Sequence, residues 1–183
     1  MGYEQALLKS WQDLEKVSDK KRYEVKFLSD IYEVNLESRT VFSSSRKQSA
    51  KDYVSILVAH YLKKSIAGLP QLLNKWVSFK ELPGGEAYYP VFKKRVIDGI
   101  NRKYGENPEA IFKLIERFGG KKENTGDASV AINVFDNVPM LATIWKGDDE
   151  FTSEANLLFD KSIANIFGTE DIVVLSEILA HNI

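Results

Sequence analysis

The sequence predicts an α+β fold: a single domain spanning residues 1–183, with antiparallel hairpins or a sheet packed against four to six helices. Two observations lead there. Apolar residues alternate with period two in two separate stretches, from Tyr23 and again from Ser129. The segments between and around them carry helical stripes instead of forming a βαβ series.

Taken in order, Tyr3, Leu7, Trp11 and Leu14 follow helical spacing and predict an amphipathic helix over about the first seventeen residues. YEVKFL then alternates Tyr23, Val25 and Phe27 against Glu24 and Lys26, Ser29-Asp30 supplies turn chemistry, and IYEVNL resumes the alternation, so a hairpin is expected. SRTVF adds a third strand, and the polar run SSSRKQS reads as a loop. Ser49 followed by Asp52 has the spacing of a capping box, opening a helix to about Lys64 whose face is Tyr53, Val54, Leu57, Val58 and Tyr61.

Beyond Gly68 and Pro70, Val77 and Phe79 alternate with Ser78 and Lys80 as a half-buried strand stopped by the tight turn Pro83-Gly84-Gly85. Pro90 suits a first helical turn, and Phe92, Val96, Ile97, Ile100 and Tyr104 carry that helix to Gly105. Asn107-Pro108-Glu109 starts another, with Ile111, Leu114, Ile115 and Phe118 as its stripe and Gly119-Gly120 as its end. SVAINVF and VPMLATIW form a hairpin across Asp136-Asn137, a pair that tolerates positive φ. Thr169 is placed as the cap of a final helix, with Glu170 and Asp171 in its first turn.

Composition bounds the function. The 44 % hydrophobic and 28 % charged shares are those of globular chains, which excludes disordered and fibrous classes. Twenty-five basic residues against 26 acidic ones leave a net charge of −1. The clusters Lys20-Lys21-Arg22, Arg46-Lys47 and Lys121-Lys122 are short and interleaved with acids, so neither nucleic acid nor an anionic membrane is an expected partner. Without cysteine the chain forms no disulfide, thiolate nucleophile or iron-sulfur ligand. The longest apolar run, Val54 to Leu62, is broken by His60 and falls far short of the roughly 18 residues of a membrane span. Together with the lack of a leader pattern, this gives the expectation of a cytoplasmic protein.

The common catalytic signatures are missing. GGKKENTG (Gly119 to Gly126) has glycines and lysines in the wrong order for a phosphate-cradling loop, and no G-x-S-x-G, H-E-x-x-H or G-x-G-x-x-G occurs. His60, at the edge of an apolar helix face, reads as a structural histidine, and His181 as a surface one.

Two clusters remain. Trp76, Phe79, Tyr88, Tyr89 and Phe92 surround the Gly84-Gly85 turn and are either ordinary core or the wall of an apolar pocket. In WKGDDEFTSEANLLFDKS, Asp148, Asp149, Glu150, Glu154 and Asp160, with Asn156 between, form an oxygen-rich set of the kind that holds calcium or magnesium. The spacing does not match an EF-hand loop, so Asp148, Glu150, Glu154 and Asp160 are metal candidates on residue type alone. The plainer reading is a turn at Gly147-Asp148 followed by a short segment that buries Phe151, Leu157, Leu158 and Phe159 and leaves the acids solvated or capping helices.

These two clusters carry a resemblance. Gly147, Asp148, Glu150 and Phe151, leading to Glu154, Ala155, Leu158, Phe159 and Asp160, together with Trp76, Phe79, Leu82, Pro83, Gly84 and Gly85, resemble the motifs of domain-of-unknown-function family 3786, found mainly in anaerobic bacteria and archaea. The resemblance runs over most of the chain and implies no particular activity. Some relatives carry an added iron-sulfur module, which implies a setting in anaerobic redox or cofactor metabolism. This chain has no cysteine, so a redox role would come only through a partner.

The expected site therefore joins Trp76, Phe79, Gly84, Gly85 and Tyr89 to Trp145, Asp148, Glu150, Glu154, Asn156 and Asp160, in a small-molecule or cofactor-binding accessory domain. One alternative is an enzyme using the acids, with or without a divalent metal; the other is a protein-interaction module marked by an exposed apolar patch. A small molecule or a redox protein is the expected partner. The sequence names no cofactor, substrate or oligomeric state.

Overall fold

A computed structural model describes residues 3–183, so residues 1 and 2 of the expected first helix lie outside it. The fold is α+β with antiparallel pairing throughout the described ladders, and the chain divides into two compact units, residues 1–71 and 72–183. No described helix is long and apolar enough to cross a membrane.

In the first unit, α1 (Glu4–Glu15) buries Trp11 and Leu14. β1 (Arg22–Phe27), β2 (Asp30–Asn35), β3 (Thr40–Ser43) and β4 (Gln48–Ser49) follow as a meander in which each strand pairs with the next. Val25, Phe27, Tyr32, Val34 and Val41 are buried on one face, while Arg22, Glu24 and Glu33 point to water, as strand alternation requires. α2 (Asp52–Ala67) packs against this meander and α1 and buries Ile56, Leu57, Val58, Ala59, Tyr61 and Leu62. Lys63 of α2 and Lys16, which caps the C-terminal end of α1, both reach Asp13, each at 3.0 Å.

Two expectations change here. The run SSSRKQS is not all loop, since Gln48 and Ser49 pair with Ser43 and Phe42. Ser49 is therefore spent on the ladder and does not cap α2, whose N-cap is Lys51 with no side-chain bond; Asp52 still meets the dipole in the first turn.

The second unit is built on a five-stranded sheet. β5 (Trp76–Ser78) pairs with β9 (Glu154–Asp160), β9 with β8 (Val138–Trp145), β8 with β7 (Ala128–Phe135), and β7 with β6 (Lys121–Glu123). β7 and β8 form the expected hairpin, with Asn137 at φ 59° in its two-residue loop. β9 corrects the sequence reading, which placed only a short buried segment there: EANLLFD is a full strand between two others. Its apolar run Leu157-Leu158-Phe159 hides the alternation in which Ala155, Leu157 and Phe159 are buried while Asn156 and Leu158 are only half-buried.

Helices cover the Ala155, Leu157 and Phe159 face. The expected strand from Trp76 stops at Ser78, because Phe79–Glu81 closes into a 3₁₀ turn held by Glu81, whose carboxylate accepts from the Ser78 N–H and hydroxyl. α3 begins at Gly85 (Gly85–Phe92) and not at Pro90, which lies inside it. A π-helical turn (Lys93–Ile97) follows three residues later and runs into α4 (Asp98–Tyr104). A proline that removes an N–H and crowds the carbonyl four residues back favours such a local change of pitch. The expected helix after Asn107 is likewise split, into a 3₁₀ stretch (Pro108–Phe112) and α5 (Lys113–Phe118), ending at Gly119 with φ 68°. A further 3₁₀ stretch (Lys161–Asn165) precedes α6 (Thr169–Asn182). Gly168 holds the N-cap of α6, and the Thr169 hydroxyl donates instead to the Pro83 carbonyl.

Candidate functional site

Register decides which candidate residues can meet. In the second unit's sheet, Trp145 lies opposite Glu154, Thr143 opposite Asn156, Leu141 opposite Leu158, and Trp76 opposite Asp160. Directly opposed residues share a face, so Trp76, Trp145, Glu154, Asn156 and Asp160 all lie on one side of the sheet. Trp76 and Trp145 mark the two ends of this strip. Glu154 and Asp160 are six residues apart on β9, about 20 Å at the rise of a strand.

Phe79, Gly84, Gly85 and Tyr89 belong to the other side. The Phe79 ring stacks on Phe92 at 4.1 Å with an interplanar angle of 2°, and both rings tilt against Phe159 at 6.5 and 6.3 Å. Phe159 points away from Asp160 by alternation, so the sheet itself separates this aromatic cluster from the strip. Tyr89 sits at 6.3 Å from Phe92, with the Lys80 ammonium 4.3 Å from its ring centre. The glycines serve the turn: Gly84 adopts φ 72°, and a Cβ on Gly85 would lie 1.8 Å from the Phe79 carbonyl oxygen. The structure thus does not bring the Gly84-Gly85 turn and the acidic segment into one site.

The acids are distributed as well. Asp148 Oδ1 accepts from the N–H groups of Glu150 and Phe151 at 2.9 and 2.8 Å, and these bonds hold its carboxyl below its ordinary pKa. Asp148 N–H donates to the Phe151 carbonyl, closing the turn. Asp149 and Glu150 are exposed, and Glu154 is exposed at one end of β9. Asp160, 4 % exposed at the other end, accepts from the N–H groups of Ser162 at 2.9 Å and Leu73 at 3.1 Å. Burial pushes its pKa up, but the bonds from Ser162, Leu73 and Asn74 outweigh this and leave it below the ordinary value. Among the described residues no three His, Cys, Asp or Glu side chains converge to hold a metal ion.

What the two carboxylates do is support their neighbours. Asp148 pins the turn that presents Phe151, which is 70 % exposed and not buried as the sequence suggested. Asp160 pins the backbone of Leu73, 54 % exposed, beside Trp76. Trp145 and Trp76 are each 36 % exposed. Loop 124–127 lies against the Trp145 end, close enough that a Cβ on Gly126 would fall 2.7 Å from Thr143 Cγ2 and 3.3 Å from Trp145 Cε2. The Ser129 hydroxyl fixes this loop by accepting from Thr125 N–H and donating to the Glu123 carbonyl. Sequence reasoning missed Leu73, whose role follows from Asp160, 87 positions away.

The fold and strip define an α+β protein built on antiparallel sheet, with an aromatic-ended face in its second unit. The chain belongs to the family described as Domain of unknown function (DUF3786), whose profile matches residues 11–182. No curated protein and no solved structure matches it.

Proposed function

We propose that the protein is an accessory, protein-binding module that docks another protein on the β9 strip of its second unit. The observation that carries this reading is that Trp76, Trp145, Leu73 and Phe151 are exposed yet attached to ordered backbone, two of them through buried or turn-closing carboxylates. Large apolar side chains held in water cost free energy that burial under a partner recovers, and tryptophan is the residue type most enriched at binding hot spots. The acids support this role better than chemistry, since Asp148 and Asp160 already spend an oxygen on backbone donors.

The mode of docking follows from the edge. β5 is only three residues long, and the Ser78 N–H is taken by Glu81, so the edge offers little template for strand addition. A partner would read the exposed side chains at the two ends of the strip, since Leu141 and Thr143 between them are buried. The redox protein implied by the family resemblance fits such a role, with any cluster held by the partner, since this chain contains no cysteine.

The test compares wild type with Trp76→Ser/Trp145→Ser/Phe151→Ser in cross-linking capture from a native extract, followed by titration of the captured protein in purified form. Loss of one saturable partner in a variant of unchanged circular dichroism is expected. An identical capture profile for both proteins would refute the reading.

A further inference from the structure

The outer face of the meander in the first unit forms an open groove of about 580 Å³, lined by Arg22, Glu24, Glu33, Asn35, Thr40 and Phe42 among others. The register lays these residues out as a grid. Glu24 is opposite Glu33, which is opposite Phe42; two positions along, Arg22 is opposite Asn35, which is opposite Thr40. Columns of such a grid are about 4.8 Å apart and rows nearly 7 Å apart.

The chemistry of the two rows differs. Glu24 and Glu33 are like charges in direct cross-strand opposition, an arrangement that destabilises a sheet unless a cation answers it. Glu33 receives one bond, from the Ser44 hydroxyl at 3.0 Å. The Arg22 and Glu24 side chains make no hydrogen bond or ion pair with the described residues, although the Arg22 charge helps to lower the pKa of Glu37, so the guanidinium fork and the Glu24 carboxylate keep their hydrogen-bonding capacity in adjacent rows. The Asn35 carbonyl oxygen is occupied by the N–H groups of Glu37 and Ser38, which orients its amide nitrogen as a donor. Phe42, half-buried, closes the carboxylate row with an apolar surface.

We propose that this groove binds a small zwitterion with an apolar substituent, of which an apolar α-amino acid is the simplest. Its ammonium sits between Glu24 and Glu33, its carboxylate meets Arg22 and the Asn35 amide, and its side chain lies on Phe42. This site is independent of the strip on the second unit.

The probes are L-phenylalanine, its carboxamide and its N-acetyl derivative, titrated against the full chain and followed by backbone amide chemical shifts. L-phenylalanine is expected to give saturable shifts at residues 22–24, 33–35 and 40–42 at millimolar concentrations, and each derivative to bind about tenfold more weakly, the worth of one charge-assisted bond. Arg22→Gln should abolish the preference over the carboxamide and keep that over the N-acetyl compound; Glu24→Gln should do the reverse. All these side chains are exposed or half-buried, so the variants are expected to fold. Absence of saturable shifts, shifts that map elsewhere, or equal binding of the three compounds would overturn the proposal.

Discussion

Replacing Asp160 with alanine tests the role given to the most buried acid of the chain. The substitution removes an acceptor from the N–H of Ser162, a residue 2 % exposed, and from the N–H of Leu73. An orphaned buried donor costs about 1–3 kcal/mol and a bond to a charged group contributes about 1.5–3 kcal/mol. Leu73 is exposed and its amide can find water, so the loss should total about 3 kcal/mol. Asp160→Asn keeps one acceptor oxygen at nearly the same volume and should lose only about 1 kcal/mol. Urea unfolding followed by circular dichroism measures both, with an unchanged m-value if the native state is preserved. The pH dependence has a fixed sign. The folded-state pKa of Asp160 is depressed, so its contribution is complete above the unfolded carboxylate value near 3.9 and disappears as pH falls through the lower folded value. That acid slope should be missing in Asp160→Asn. An alanine variant within about 0.5 kcal/mol of wild type, the range of neutral surface changes, would refute the capping role.

Other outcomes follow from single contacts. Gly85→Ala should unfold the second unit or cost well over about 3 kcal/mol in thermal melts, since its Cβ would meet backbone and not a flexible side chain. Phe92→Ala, removing a fully buried ring stacked on Phe79, should cost about 3–5 kcal/mol by denaturant unfolding. Asn137→Gly, at φ 59° in the β7–β8 loop, should stay within about 1 kcal/mol of wild type, whereas Asn137→Val should be clearly destabilised in the same melts. Hydrogen bonds from Lys16 and then Lys63 hold Asp13 at a pKa of about 2, so its ion pairs persist at pH 4 and are lost as pH falls through about 2; amide exchange of α1 should accelerate over that window, and not in Asp13→Asn.

The β7–β8 hairpin is legible from its Asp136-Asn137 turn, since β8 is buried on both faces from Met140 to Ile144, whereas the first meander is legible because it has one wet face and one dry one, so polar and apolar residues alternate visibly. β9 was hidden for the opposite reason. Its outer-face position 158 is leucine between two inward apolar residues, which reads as a continuous buried run. Helix starts were the least legible feature, since Ser49 and Thr169 found tertiary partners in place of capping the residues that follow them. Of the candidate site, the tryptophans and the acids of the last strand could be picked out by residue type. That Trp76 and Trp145 share a face while Phe79 lies on the other depends on one-residue parity in the pairing of β5 and β9, which no local pattern reveals.

The docking claim is tested most directly by hydroxyl-radical footprinting of the purified complex against the free chain. Docking on the strip requires protection confined to Leu73, Trp76, Trp145 and Phe151, with Tyr88 and Val91 of α3 as reactive as before. Unchanged reactivity at both tryptophans in a saturated complex would contradict it.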